Sequence, residues 1–151
     1  MSTLWIDGPA LNLAISAGQS ALPRETGGIL LGHFVDGEPT VTMAPVVTDS
    51  RATRIRYRRD VLVASRTLDL HIAGDRSGLL GYLGEWHTHP LPVGPSRIDH
   101  RAIHALARDG GDEVLLLVIS RGLSGWRPHG VRVATDGRVT PIRVCARKDL
   151  G

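Results

Sequence analysis

Cysteine is nearly absent: Cys145 is the single one in 151 residues. No internal disulfide can form, which excludes a disulfide-stapled scaffold and a cysteine-rich zinc module. Lysine is equally scarce, since Lys148 is the one lysine among 18 basic residues and the rest are arginine. No apolar run reaches the roughly 18 residues that a membrane span requires. The start, Met1-Ser2-Thr3-Leu4-Trp5-Ile6-Asp7, lacks the basic flank and unbroken apolar stretch of a signal peptide. These absences point to a cytoplasmic protein without membrane contact. The charge excess is only +3, too small to argue for nucleic acid.

What remains is ordinary for a folded chain, with 42% hydrophobic and 22% charged residues, a balance that excludes intrinsic disorder. The length corresponds to about one domain, so residues 1–151 are expected to form a single unit. The unusual abundance is histidine, with seven. Chemistry is therefore to be sought among histidines and carboxylates.

Hydrophobic spacing predicts a helix over residues 11–21, ended by Pro23. Strands are predicted over 28–35 and 40–47 around an Asp36-Gly37 turn, with a third over 54–57. A helix follows from Asp60 to about Ala73, then a strand over 79–89 and a helix over 97–108 closed by Asp109-Gly110-Gly111. Residues 114–119 show no polar alternation and are expected to be a strand buried on both faces. Strands over 126–133 and 139–144 flank Asp136-Gly137, and Cys145 is expected to be a core thiol rather than a nucleophile. The order is that of an α/β (α+β) domain, a mixed sheet with helices packed on it. The densest basic stretch is Arg51, Arg54, Arg56, Arg58 and Arg59. It reads as a solvated strand face, or else as a patch for an acidic partner; only Tyr57 is nearby to stack on bases, which argues against nucleic acid.

The sharpest feature is Gly84-Glu85-Trp86-His87-Thr88-His89-Pro90, followed by Pro95-Ser96-Arg97-Ile98-Asp99. On a strand, residues i and i+2 share a face, so His87 and His89 project side by side and can reach one metal. Trp86, Thr88 and Tyr82 then point to the opposite, core side. Pro90 ends the strand, and Asp99 falls in the first turn of the next helix, where it can return a carboxylate to the pair. Two histidines and one carboxylate leave a fourth tetrahedral position open, as in catalytic zinc sites. Each piece also has a structural use, because Ser96-x-x-Asp99 is a good capping box. Proton transfer needs a further group, and the glutamates are Glu25, Glu38, Glu85 and Glu113. Glu38 and Glu113 read as solvated. Glu85 shares a face with His87, and Glu25 precedes Gly27-Gly28, which permit close approach of another element. On the residues alone these two are level. His100 and His104 read as an exposed helical pair, and His33, His71 and His129 show no partner pattern.

Taken together, Glu25 with Gly27-Gly28-Ile29-Leu30-x-Gly32, His87-x-His89-Pro90 and Ser96-x-x-Asp99 resemble the JAMM motif of catalytic MPN (JAB) metallopeptidases, most closely the compact prokaryotic type. The resemblance runs from about Leu11 to Val144. Six residues separate His89 from Ser96, one fewer than is usual. It implies an MPN/JAB-like (cytidine-deaminase-like) fold, a mixed, curved β-sheet flanked by helices. It further implies one Zn2+ per chain with its catalytic water, held by His87, His89 and Asp99. Glu25 becomes the general acid/base, Ser96 the hydrogen-bond donor to the oxyanion, and Glu85 at most an outer neighbour. The implied reaction is hydrolysis of the amide after the C-terminal glycine of a ubiquitin-like protein, by deconjugation or precursor processing. The alternatives are a sulfur-carrier precursor or small amide as substrate, and a non-catalytic MPN scaffold, for which the intact ligand set speaks poorly. The short stretches 73–79 and 109–113 imply that substrate-gripping insertions are absent or reduced. Implied partners are a ubiquitin-like protein or its conjugates, with E1- or E2-like enzymes encoded nearby. Lysine scarcity fits a conjugation setting, although codon bias in a genome rich in G and C explains it as well.

Overall fold

The computed structural model of the chain describes residues 2–47, 52 and 61–148. The strand expected over residues 54–57, the basic stretch around it and Asp60 lie outside the described residues. Among those described, the elements are β1 (Thr3–Asp7), α1 (Gly8–Ala21), β2 (Gly27–Val35), β3 (Glu38–Met43), α2 (Val61–Gly74), β4 (Gly81–His89), α3 (Arg97–Gly110), β5 (Val114–Gly122), β6 (Gly125–Val133) and β7 (Val139–Arg147).

The sheet is a closed barrel in the order β1-β3-β2-β4-β5-β6-β7, not the flanked curved sheet that the sequence led us to expect. The difference lies in β1, which sequence patterning missed because only Leu4 and Ile6 alternate inward over five residues. This strand pairs in parallel with both β3 and β7 and so joins the two ends of the sheet. Asp7 ends β1, and its carboxylate accepts a hydrogen bond from Arg147 Nε on β7 at 2.8 Å instead of capping α1. The helix therefore begins at Gly8, with Pro9 in its first turn, where a missing N–H costs little.

Two faces of the barrel wall carry different clusters. Inside, Leu4, Leu30, Val41, Trp86, Leu117 and Ile142 meet, with Ala10 and Ala14 of α1 packed among them. Outside, α3 buries Ile103 and Ala107 on Leu116, Val118, Val131 and Val133, while α2 places Ala64 on Ile29, Leu31 and Val47. β5 is buried along residues 114–120, as expected, because its alternate residues serve these two clusters. Cys145 is half-buried in β7 rather than in the core. Among the described residues no helix is long and apolar enough to cross a membrane.

One register irregularity matters for side-chain direction. Leu30 pairs with Gly84, but Leu31 pairs with Tyr82, so β4 carries an extra residue, Leu83. Trp86 and Thr88 are buried, Trp86 inside the barrel as expected. Tyr82 is thrown to the opposite face, where it packs on the clusters under α2 and α3. The expectation that Tyr82 lies with Trp86 fails for that reason.

Close approach at Gly28 locks the strand that leads to the site. A Cβ there would lie 1.8 Å from the Pro45 carbonyl oxygen, and Gly28 bridges to Val46. A side chain can fit only by moving backbone. Gly28→Ala is expected to destabilise the chain by about 3 kcal/mol, read as a lower urea midpoint at unchanged slope; an unchanged midpoint refutes the clash.

Candidate metal centre and active site

β4 ends at His89, and the two-residue period of the strand puts His87 and His89 on the outer face, toward α3. Their Nε2 atoms are 3.2 Å apart. The next element delivers the acid. Ser96 caps α3 with its Oγ accepting from the Asp99 N–H at 3.1 Å, while Asp99 Oδ2 accepts from the Ser96 N–H at 2.7 Å. This capping box turns the carboxylate back toward β4. Asp99 Oδ1 then lies 3.2 Å from His87 Nε2, and Oδ2 lies 3.4 Å from His89 Nε2.

These separations test whether the residues suit a metal. Ligands roughly 2.0 Å from a tetrahedral ion lie about 3.3 Å from one another; the two Nε2 atoms at 3.2 Å fit that edge, each Asp99 oxygen faces one of the rings, and one donor atom from each residue lies within 4.8 Å of the other two. The donor set is nitrogen, nitrogen and oxygen, and all three residues lie together in the sole such group among the described residues. His89 Nδ1 donates to the Val93 carbonyl at 2.9 Å, which leaves the Nε2 lone pair directed at the site. The loop over residues 90–95 is the short one noted in the sequence, and it folds so that its Val93 carbonyl meets His89.

Glu25 reaches the same place from the other side. The Thr88 N–H donates to the Thr26 carbonyl at 2.8 Å, and the Thr26 N–H donates to Thr88 Oγ1 at 3.0 Å. This clamp sets Glu25 beside His89, with Oε1 3.8 Å from His89 Nε2 and the side chain buried. Glu85 is also buried, and it lines a cleft of about 300 Å³ between β4 and α3 together with His87 and Asp99 of the site and with Ile98, Ala102 and Leu106. Glu38 is not simply solvated, because its carboxylate accepts from Trp5 Nε1 at 2.5 Å.

The electrostatics follow from this crowding. Burial pushes the Glu25 carboxyl up to about 7, with Asp99 adding and His89 opposing. For Asp99, burial also acts upward, but hydrogen bonds from His87 and His89, the charge of His87 and the Ser96 N–H outweigh it and hold the carboxyl well below the usual range. His89 is raised: burial acts downward, and the Asp99 contacts, the Val93 carbonyl and Glu25 overcome it. A site with this much negative potential around two imidazoles favours a cation.

The other histidines divide. His104 Nε2 faces the Thr135 carbonyl at 3.2 Å and His71 Nδ1 faces the Thr67 carbonyl at 2.8 Å, both structural contacts. His129, which no sequence pattern connects to anything, hydrogen-bonds to Ser120 Oγ at 2.9 Å, close enough to the centre to feel the charge of His89.

Comparison with known proteins agrees with the geometry. An Enterobacter hormaechei subsp. hoffmannii protein named "CD-NTase/cGAS isopeptidase" is 33% identical, over 94% of this chain and 80% of that one. A Sinorhizobium fredii protein named "Probable metalloprotease y4qB" is 25% identical, over 83% of this chain and 80% of its own length. In fold, the chain is similar to a Desulfitobacterium hafniense protein solved in solution, with a TM-score of 0.70 at 20% identity, covering 98% of this chain and 95% of that one. Residues 9–136 match the family described as prokaryotic homologues of the JAB domain. With that match spanning β2 to β6, both histidines and the acid that faces them, the chain belongs to the prokaryotic JAB family.

Proposed function

We propose that this chain is a zinc-dependent peptidase or isopeptidase of the JAMM type, acting in the cytoplasm on the amide bond after the C-terminal glycine of a ubiquitin-like protein. The observation that carries the reading is the convergence of His87, His89 and Asp99, with donor atoms within 4.8 Å of one another, and the Glu25 carboxylate 3.8 Å from His89. The relative named as an isopeptidase supports a protein conjugate as the substrate, with E1- or E2-like enzymes as the source of that conjugate.

His87, His89 and Asp99 would hold the zinc. When bound, it would supply Lewis acidity to the scissile carbonyl and acidity to a water. Glu25 accepts the proton of the attacking water and returns it to the leaving amine, a task that suits a carboxyl held near neutrality by burial. Ser96 has two uses that do not conflict. Its oxygen accepts from the Asp99 N–H to cap α3, and its O–H remains free of that bond to donate to an oxyanion. Glu85, in the cleft below α3 with His87 and Asp99, is at most an outer neighbour of the metal.

The test is cleavage by the purified chain of three linear or isopeptide-linked substrates: a ubiquitin-like protein ending in glycine joined to a carrier, a sulfur-carrier precursor, and a small peptide amide. Zinc-dependent release from the first is expected. Release from the second or third alone moves the substrate class to the alternative reading. No release from any, with no metal in the protein, leaves an MPN scaffold.

A further inference from the structure

The buried hydroxyl of Ser120 and the ring of His129 form a pair outside the proposed proton path. A serine 2.9 Å from an imidazole nitrogen resembles the start of a nucleophilic triad. The surroundings argue otherwise. Ser120 is only 3% exposed, so no substrate carbonyl can reach its oxygen. The other side of the His129 ring meets no carboxylate among the described residues; it lies near Gly94, on which a methyl group would sit 3.8 Å from both Cγ and Nδ1.

The pair closes a circuit around His89. In the parallel ladder His89 lies beside Ser120, and in the antiparallel ladder Val118 lies beside His129, so all three side chains leave the same outer face. Ser120 holds His129, the ring of His129 stands where a methyl group on Gly94 would just touch it, and the neighbouring Val93 carbonyl accepts the Nδ1 proton of His89 at 2.9 Å. The loop has other support in one short turn, from the Val93 N–H to the Leu91 carbonyl. Leu91 and Val93 are themselves more than half exposed, so little packing holds the loop down.

We propose that Ser120 and His129 are positioning residues that hold the loop over residues 90–95 in place, so that the Val93 carbonyl fixes the tautomer and orientation of His89. This rests on the reading of His89 as a metal ligand, and it assigns a cause to the ligand's preorganisation: a hydrogen-bonded prop two strands away. Outer partners of metal-bound histidines typically govern affinity by about 10- to 100-fold.

The experiment uses the whole chain with His129→Ala, Ser120→Ala, His129→Gln and, as a control on the same strand, Arg127→Ala. Nitrogen NMR of the metal-free protein reads the His89 tautomer, and competition with a chelator reads the zinc dissociation constant. In the wild type His89 is expected to be a single tautomer protonated on Nδ1. In His129→Ala and Ser120→Ala both tautomers are expected, with zinc bound about 10- to 100-fold more weakly; His129→Gln, which can bond Ser120 again, recovers most of the loss, and Arg127→Ala changes neither. A folded His129→Ala that keeps one tautomer and wild-type affinity overturns the proposal. Should that variant fail to fold, Ser120→Ala, which removes a single oxygen, decides the matter by the same readings. A wild type that binds no zinc defeats the metal reading instead, while the tautomer measurement still decides this one.

Discussion

Glu25→Gln is expected to keep zinc at wild-type stoichiometry and to lower kcat roughly 10²- to 10⁴-fold, the usual contribution of a positioned general acid/base. The substitution preserves size and removes only the ability to exchange a proton. Glu25 is not among the three residues whose donor atoms group together, so metal content is expected to hold. Measuring metal content and turnover on one sample separates the two roles. Full turnover in Glu25→Gln would return the proton to Glu85, which is buried near His87. The two glutamates differ in one respect that the fold supplies. The Thr26–Thr88 clamp places Glu25 against His89, whereas Glu85 opens into the cleft under α3.

Removal of a ligand has the larger consequence. His87→Ala is expected to contain no zinc after purification and to show no measurable cleavage, beside a wild type with one zinc per chain. It also leaves the buried Glu25 and the half-buried Asp99 carboxylates facing His89 alone. Binding to the folded state alone adds about 4 kcal/mol of apparent stability at a thousandfold excess over the dissociation constant. The melting temperature of the wild type should therefore fall with a chelator, and that of His87→Ala should not respond. Equal metal content in the two proteins would remove the site from His87.

The helices and most strands were legible because their signals are local. The run over residues 114–119 is apolar on both faces, and the structure gives each face its own cluster. The capping box at Ser96 and Asp99 is contained in four consecutive residues, and it formed as the spacing required. Where sequence reading failed, a partner distant in the chain decided the outcome. β1 is too short to announce itself, and its place is set by β3 and β7. Tyr82 changes face because β4 holds an extra residue against β2. Glu38 is bound by Trp5, 33 positions earlier.

The sequence by itself determined which chemistry is available: nitrogen and oxygen ligands with no thiolate to compete, two histidines on one strand face and an acid locked to a helix start. Strand period and capping are contacts between near neighbours, and they hold wherever the segment is placed. Tertiary structure alone decided that the sheet closes, that the Glu25 favoured by the family resemblance stands 3.8 Å from His89, and that a serine and a histidine from two other strands lie near the loop that His89 depends on. Those outcomes depend on strand order and register, which arise from the burial of both barrel faces at once and leave no mark on any short stretch of the chain.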